Sequence, residues 1–80
     1  MYHYLVTFNA NIDGVKSIYG KLGASIGEED EDMAIRQVRE EAMRRCKKVY
    51  PTAKLIVVTV MDIEKVASEK EINAGRSFQL

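Results

Sequence analysis

The sequence has one cysteine, one proline and one histidine, and these scarcities exclude several classes of protein. Cys46 has no second cysteine with which to form an internal disulfide or a cysteine-based metal cluster. A chain without a disulfide framework is typical of a reducing compartment. We therefore predict a cytoplasmic protein without a bound metal.

Long apolar runs are also absent. No stretch approaches the roughly 20 residues that a membrane helix needs. The first residues, "MYHYLVTF", place no basic leader before the apolar stretch, so we expect no signal peptide. These features predict a soluble protein with no membrane partner.

Net charge is missing as well, because twelve basic residues balance twelve acidic ones. A nucleic-acid-binding domain usually carries clustered Lys and Arg in excess. The cluster of Arg44, Arg45, Lys47 and Lys48 is of that kind, but Glu40 and Glu41 dilute it. Nucleic acid is therefore a disfavoured partner, although it stays an alternative.

The residues that are present describe one small globular domain: 80 residues, 46% of them hydrophobic and 30% charged. Aromatic and β-branched residues predict a strand over 2–9, and Asp13-Gly14 is typical of a turn. Alternation predicts a second strand over 15–26, bent or bulged at its glycines. The apolar run "AKLIVVTVMDI" predicts a third strand over 53–63.

Between the second and third strands the hydrophobic period becomes helical, from about residue 29 to 49. Acidic residues crowd the first turn and basic residues the last, which complements the helix dipole, and Pro51 ends the helix. The apolar stripe consists of Ala34, Ile35, Val38, Ala42, Cys46 and Val49.

The order β-β-α-β predicts an α+β fold, with a three-stranded antiparallel sheet in the order 2-1-3 and the long amphipathic helix on one face. Placing the third strand beside the first makes every pair antiparallel. We expect the domain to span residues 1–63. Residues 64–80 form a polar C-terminal tail, with a short helical turn near residues 63–71.

Three glycines, Gly20, Gly23 and Gly27, run into the helix start and raise the question of a phosphate site. A P-loop requires Lys-Ser/Thr at the helix start, whereas Lys21 comes early and Leu22 follows it. Five consecutive acids over residues 28–32 would repel a phosphate at that terminus. We therefore predict no nucleotide and no other cofactor.

The sequence contains two reactive side chains, His3 and Cys46, and neither has a catalytic partner at a nearby position in the sequence. His3 has no nearby Ser, Cys or carboxylate in the sequence that would complete a constellation. Cys46 lies on the apolar helix stripe and is expected to be a buried small hydrophobe. The sequence therefore predicts no catalytic residue and no enzymatic activity.

The third strand has apolar residues at both its odd and its even positions, and therefore on both faces of the sheet, although a single helix can cover only one face. Contiguous exposed apolar residues usually mark an interaction surface. The predicted surface on the open face consists of Leu5, Leu55, Val57, Thr59 and Met61. It would be covered either in a homodimer or by the C-terminal tail, and we expect the homodimer.

Residues 1–63 contain the strand "YHYLVTFNA", the Asp-Gly hairpin, a helix that begins with acidic residues and the strand "LIVVTVMDI". This pattern resembles small proteins of phages, prophages and other mobile elements. Some proteins of that kind are anti-CRISPR or other anti-defence proteins. The resemblance implies an accessory protein that binds and inhibits a host protein, with no catalytic residues. The sequence thus favours a non-enzymatic protein–protein interaction module. The alternatives are a small nucleic-acid-binding protein and a ligand-binding domain with its pocket at a dimer interface.

Overall fold

A computed structural model describes all 80 residues and contains three strands and two helices. The elements are β1 (Tyr2–Ile12), β2 (Lys16–Ile26), α1 (Glu31–Val49), β3 (Ile56–Val66) and α2 (Glu69–Gly75). Both strand pairs are antiparallel, and the sheet order is β2-β1-β3. The predicted α+β fold, with the long helix on one sheet face, is confirmed.

The β1–β2 turn is built by residues that tolerate positive φ, namely Asp13 at 54° and Gly14 at 71°. The Val15 N–H donates to the Ile12 carbonyl at 3.0 Å, and the Asn11 side chain accepts from the Gly14 N–H at 2.8 Å. The turn therefore places Ile12 opposite Lys16 and fixes the register of the whole hairpin. That register runs without a shift, so the second strand has no bulge at its glycines.

The two strand-interior glycines make room for side chains of the C-terminal tail. A Cβ at Gly20 would lie 2.6 Å from Phe78, and one at Gly23 would lie 2.1 Å from Ile72. Such distances do not occur between real atoms, so each position needs glycine for close packing.

Helix α1 begins at an N-cap, where the Asp30 carboxylate accepts from the Met33 N–H at 3.2 Å. Its buried positions are Ala34, Val38, Ala42 and Cys46. The spacing of four residues leads next to Tyr50, which packs against the core. Val49, which the stripe had included, is consequently 48% exposed.

One sheet face packs against α1 and forms the core. The even-numbered residues of β1 point to it; those from Tyr4 to Ile12 are fully or nearly fully buried, and Tyr2 is partly buried. The core residues from the sheet are Tyr4, Val6, Phe8, Ala10, Ile12, Leu22, Ala24, Ile26 and Val58.

The third strand covers residues 56–66 rather than the predicted 53–63. A register shift lies between Thr7 and Phe8 of β1: Phe8 pairs with Val60 and Thr7 with Asp62, which leaves Met61 as an extra residue. This bulge changes the parity of the strand, so Ile63 returns to the α1 face and packs against the core. The polar residues that follow looked like a loop because they form the exposed end of an edge strand.

The predicted helical turn near residues 63–71 is also misplaced, because the helix of the tail is α2 at 69–75. Ile72 is its one buried residue. It packs on the second face of the sheet, against Gly23, while Gly75 lies against Leu5. Beyond α2 the tail reaches the edge of β2, where Ser77 pairs with Lys21, and Phe78 meets Phe8 edge to face with ring centroids 4.9 Å apart.

Candidate protein-binding surface

The sheet face opposite α1 is only half covered. On β1 this face carries the odd-numbered side chains, and α2 lies over its end near Leu5. The other half, which we call the open patch, carries no covering element. It consists of Tyr19, Leu55, Val57, Thr59 and Met61, around the central residue Asn9.

The open patch exposes large apolar side chains. Tyr19 is 67% exposed, Leu55 62%, Val57 44% and Met61 58%. Leu55, Val57 and Met61 follow one another along or directly before β3, whereas Tyr19 lies on β2, across Asn9 of the central strand β1. Contiguous exposure of this kind is more informative than the scattered apolar residues found on any protein surface.

Four of the five residues predicted for the interaction surface, those from Leu55 to Met61, are exposed in the structure. Leu5 is not, because it is 8% exposed beneath Gly75 of α2. The bulge also separates Leu5 from the rest, since its β3 partner is Glu64. Leu5 therefore belongs to a small second-face cluster with Ile72 rather than to the open patch.

Sequence reasoning omitted Tyr19 and Asn9 from this surface. The two-strand register places Tyr19, Asn9 and Thr59 in one row across the sheet. Tyr19 occupies an odd position of the second strand, whereas Ile18 and Leu22 occupy even positions. The alternation along this strand therefore already indicated that Tyr19 lies on the face opposite α1. The Asn9 Oδ1 atom is shielded from solvent and has no hydrogen-bond partner within the chain. Because the chain itself covers this atom, it is a buried unpaired acceptor and not a contact point for a partner.

Asp13 holds one end of the patch in place. Its carboxylate accepts from the backbone N–H groups of Lys54 and Leu55 at 2.8 and 2.7 Å, and its own N–H donates to the Leu55 carbonyl at 2.7 Å. These three bonds extend the β1–β3 pairing one residue beyond β3. Leu55 is therefore exposed on an ordered backbone.

A small depression of about 210 Å³ adjoins the patch on its β2 side, lined by Thr7, Tyr19, Gly20, Lys21 and Ser77. Its lining includes the ammonium of Lys21 and three hydroxyl-bearing side chains, although most of the lining surface is apolar. Its size fits a single side chain of a partner rather than a drug-sized ligand, for which pockets of about 300–1,000 Å³ are usual.

His3 has a partner that local spacing did not reveal. The β1–β2 register places it opposite Ser25, and Nδ1 of His3 lies 2.7 Å from Oγ of Ser25. To predict this pair from the sequence, one would need to know the length of the β1–β2 turn. A two-residue turn would shift the β2 partner of every β1 residue by one position. The pair has no hydrogen-bonded carboxylate, so the imidazole is not oriented as in a nucleophilic triad.

Cys46 is fully buried in the core beneath α1, and burial raises the pKa of its thiol. A raised pKa lowers the thiolate fraction at neutral pH, and only the thiolate is a strong nucleophile. No three His, Cys, Asp or Glu side chains lie close enough together to hold a metal ion.

No protein-family model, no curated protein and no solved structure matches the chain. Neither helix combines the length and the apolar composition that crossing a bilayer requires.

Proposed function

We propose that this chain is a non-enzymatic protein-interaction module that binds its partner through the open patch. The observation that supports the proposal is that Leu55, Val57 and Met61 remain exposed although the tail folds back onto the same sheet face.

The energetic argument follows from burial. Covering a large aliphatic side chain completely is worth on the order of 1.5–3 kcal/mol, in proportion to the apolar area removed from water. Three such side chains follow one another along β3, and Tyr19 lies on the same face two strands away, so a partner that spans the sheet can cover all four. Tyrosine is also favoured at binding surfaces, because it combines a large contact area with a hydroxyl group.

Polar groups within the patch supply orientation. The exposed Thr59 and Lys21 offer a hydroxyl and an ammonium at the same face. A partner with an apolar centre and hydrogen-bonding groups that face Thr59 and Lys21 is the best complement. The resemblance of residues 1–63 to small mobile-element proteins suggests that this partner is a host protein and that binding inhibits it.

The basic end of α1 supports nucleic acid less well. Arg44 and Arg45 both contact Glu41, with Nε of Arg45 at 3.4 Å from the carboxylate. These contacts satisfy part of the positive charge that phosphate contacts would require. A protein partner at the open patch is therefore the stronger proposal.

The test is site-specific photo-crosslinking in the native cell. A photoreactive residue at Thr59 stands in the open patch, and one at Lys48, exposed on α1, is the matched control. We expect a discrete crosslinked partner at position 59 that is absent at position 48. Val57→Lys should abolish that crosslink, whereas Val49→Lys, at a valine of similar exposure on α1, should keep it. Equal products at both positions, or a product that survives Val57→Lys, would refute the proposal.

A further inference from the structure

The two outer edges of the sheet differ in how they are protected. At the β2 edge, Ser77 exchanges backbone hydrogen bonds with Lys21, at 2.7 and 2.9 Å. The β3 edge has no neighbouring strand. Unpaired edges present free N–H and C=O groups, which are a template for another strand.

The hydrogen bonds at Asp13 reveal which backbone groups of β3 are free. Both backbone groups of Leu55 point toward β1, because both bond to Asp13. In an antiparallel pair the hydrogen-bonded residues alternate with non-bonded ones. Val57 and Thr59 therefore also point their backbone groups at β1, whereas those of Ile56, Val58 and Val60 point outward.

The segment from Ile56 to Val60 carries none of the features that normally prevent edge pairing. It contains no charge, proline or glycine, and the bulge at Met61 begins only after it. The charged residues Asp62, Glu64 and Lys65 all lie beyond the bulge. An edge strand without such protection is a template for pairing with another strand.

We infer that a second copy of this chain pairs antiparallel with β3 about a two-fold axis at Val58, which joins two three-stranded sheets into one of six strands. In this register Val58 faces Val58 of the second copy, and Ile56 faces its Val60 on both sides of the axis. All three outward-facing residues then lie in hydrogen-bonded pairs. If the axis lay one residue further along, at Thr59, the segment before the bulge would form fewer hydrogen-bonded pairs. Only Val58 with Val60 of the second copy, on both sides of the axis, would remain.

The same register matches the side chains of the open face. Val57 lies opposite Thr59 of the second copy, and Leu55, 62% exposed, lies opposite its Met61, 58% exposed. The apolar contacts of the open face therefore agree with the axis that the backbone geometry selects.

Pairing of this kind stops at two copies. A two-fold contact uses the same strand of both subunits, and the opposite edge of each sheet is blocked at Ser77. The two copies of α1 lie on one face of the joined sheet, and the two open patches form one larger surface on the other. The pairing goes beyond the proposed function, because it needs no partner protein.

The test is disulfide trapping with purified protein in a Cys46→Ala background. Val57→Cys and Thr59→Cys are made as separate proteins, both at exposed positions. Opposed non-hydrogen-bonded residues bring Cβ atoms within about 4.5–5.5 Å, close to the separation that a disulfide requires. We expect an equimolar mixture to form the covalent dimer rapidly under mild oxidation, and each protein alone to form it at least about tenfold more slowly.

Rapid linkage of Thr59→Cys with itself would place the axis at Thr59 and overturn the inferred register. Light scattering on the unmodified chain should give twice the 9.1 kDa monomer mass. A monomer at high micromolar concentration, with slow linkage in the mixture, would overturn the pairing itself. Neither outcome depends on whether the crosslinking experiment in cells finds a partner.

Discussion

The contact between Gly23 and Ile72 holds α2 on the sheet, and its strength can be measured by a double-mutant cycle. A Cβ added at Gly23 would lie 2.1 Å from Cγ2 of Ile72 and 2.9 Å from its Cγ1. Gly23→Ala must therefore displace Ile72 and α2 with it. Overpacking of this kind usually costs about 1–3 kcal/mol, even though alanine is favoured over glycine in a strand interior by about 0.5–1 kcal/mol.

Ile72→Ala should cost about 2 kcal/mol, the lower end of the range for Ile-to-Ala changes, because Ile72 packs on one side only and retains 8% exposure. In the double variant the shortened side chain leaves space for the new methyl group at position 23. We therefore expect the double variant to be about as stable as Ile72→Ala alone. The coupling free energy should be about 1–2 kcal/mol in the favourable direction.

Urea unfolding of the four proteins, followed by circular dichroism, measures the cycle. A shorter chain ending at Ala67 is the control, since it lacks α2 and should make Gly23→Ala neutral or stabilising. Additive effects, with a coupling below about 0.5 kcal/mol, would refute the proposed contact. Loss of the effect of Gly23→Ala in the shorter chain would confirm that the clash is with α2 and not with the sheet.

Three further predictions concern the core and the reactive side chains. Val38→Asp should leave the chain unfolded, as measured by circular dichroism. A buried unpaired charge costs more than about 4 kcal/mol, and the free energy of unfolding of a domain of this size is only about 4–12 kcal/mol. A native spectrum would contradict the assigned core face. Burial raises the pKa of Tyr4 above 10.0, and the hydrogen bond to Glu29 raises the pKa of Lys65 above 10.5. The folded state therefore holds both protons more tightly than the unfolded state does. The free energy of unfolding should consequently fall as the pH rises above about 10. Tyr4→Phe, which removes a buried hydroxyl without a hydrogen-bond partner, should be neutral or stabilising in urea unfolding at pH 7 and should reduce the alkaline loss; a marked loss at pH 7 would contradict this. His3→Ala and Cys46→Ala should keep the open-patch crosslink, and its loss in a folded variant would point to chemistry at one of them.

The sequence predicted the elements whose signals are local. Helix α1 follows from a stripe of apolar residues and from Asp30 and Pro51 at its ends, and each of these acts within a few residues. The strand order follows from the lengths of the connections, because a hairpin and one crossover helix leave few alternatives. Both were confirmed for that reason.

The features that escaped prediction depend on distant contacts. The bulge at Met61 changes the parity of β3, and no residue near it marks the change. The burial of Leu5 depends on α2, a helix whose only buried residue is Ile72. The glycines of β2 were expected to bend or bulge the strand, whereas they accommodate Ile72 and Phe78 from the far end of the chain. A sequence shows that glycine is present but not which side chain fills the space above it.

The course of the tail explains why the open patch stays open. After α2 the chain does not continue along the second face of the sheet toward Thr59. It turns instead to the β2 edge at Ser77 and places Phe78 against Phe8 on the other face. Phe78 is therefore used to extend the α1-side core and to block the β2 edge, and Ile72 is used at the Leu5 end. Of the tail's larger apolar residues only Val66 and Leu80 then remain, and Val66 lies within β3 at the Leu5 end while Leu80 is 38% exposed. With residues 67–80 packed elsewhere, the tail leaves the apolar side chains of the open patch exposed.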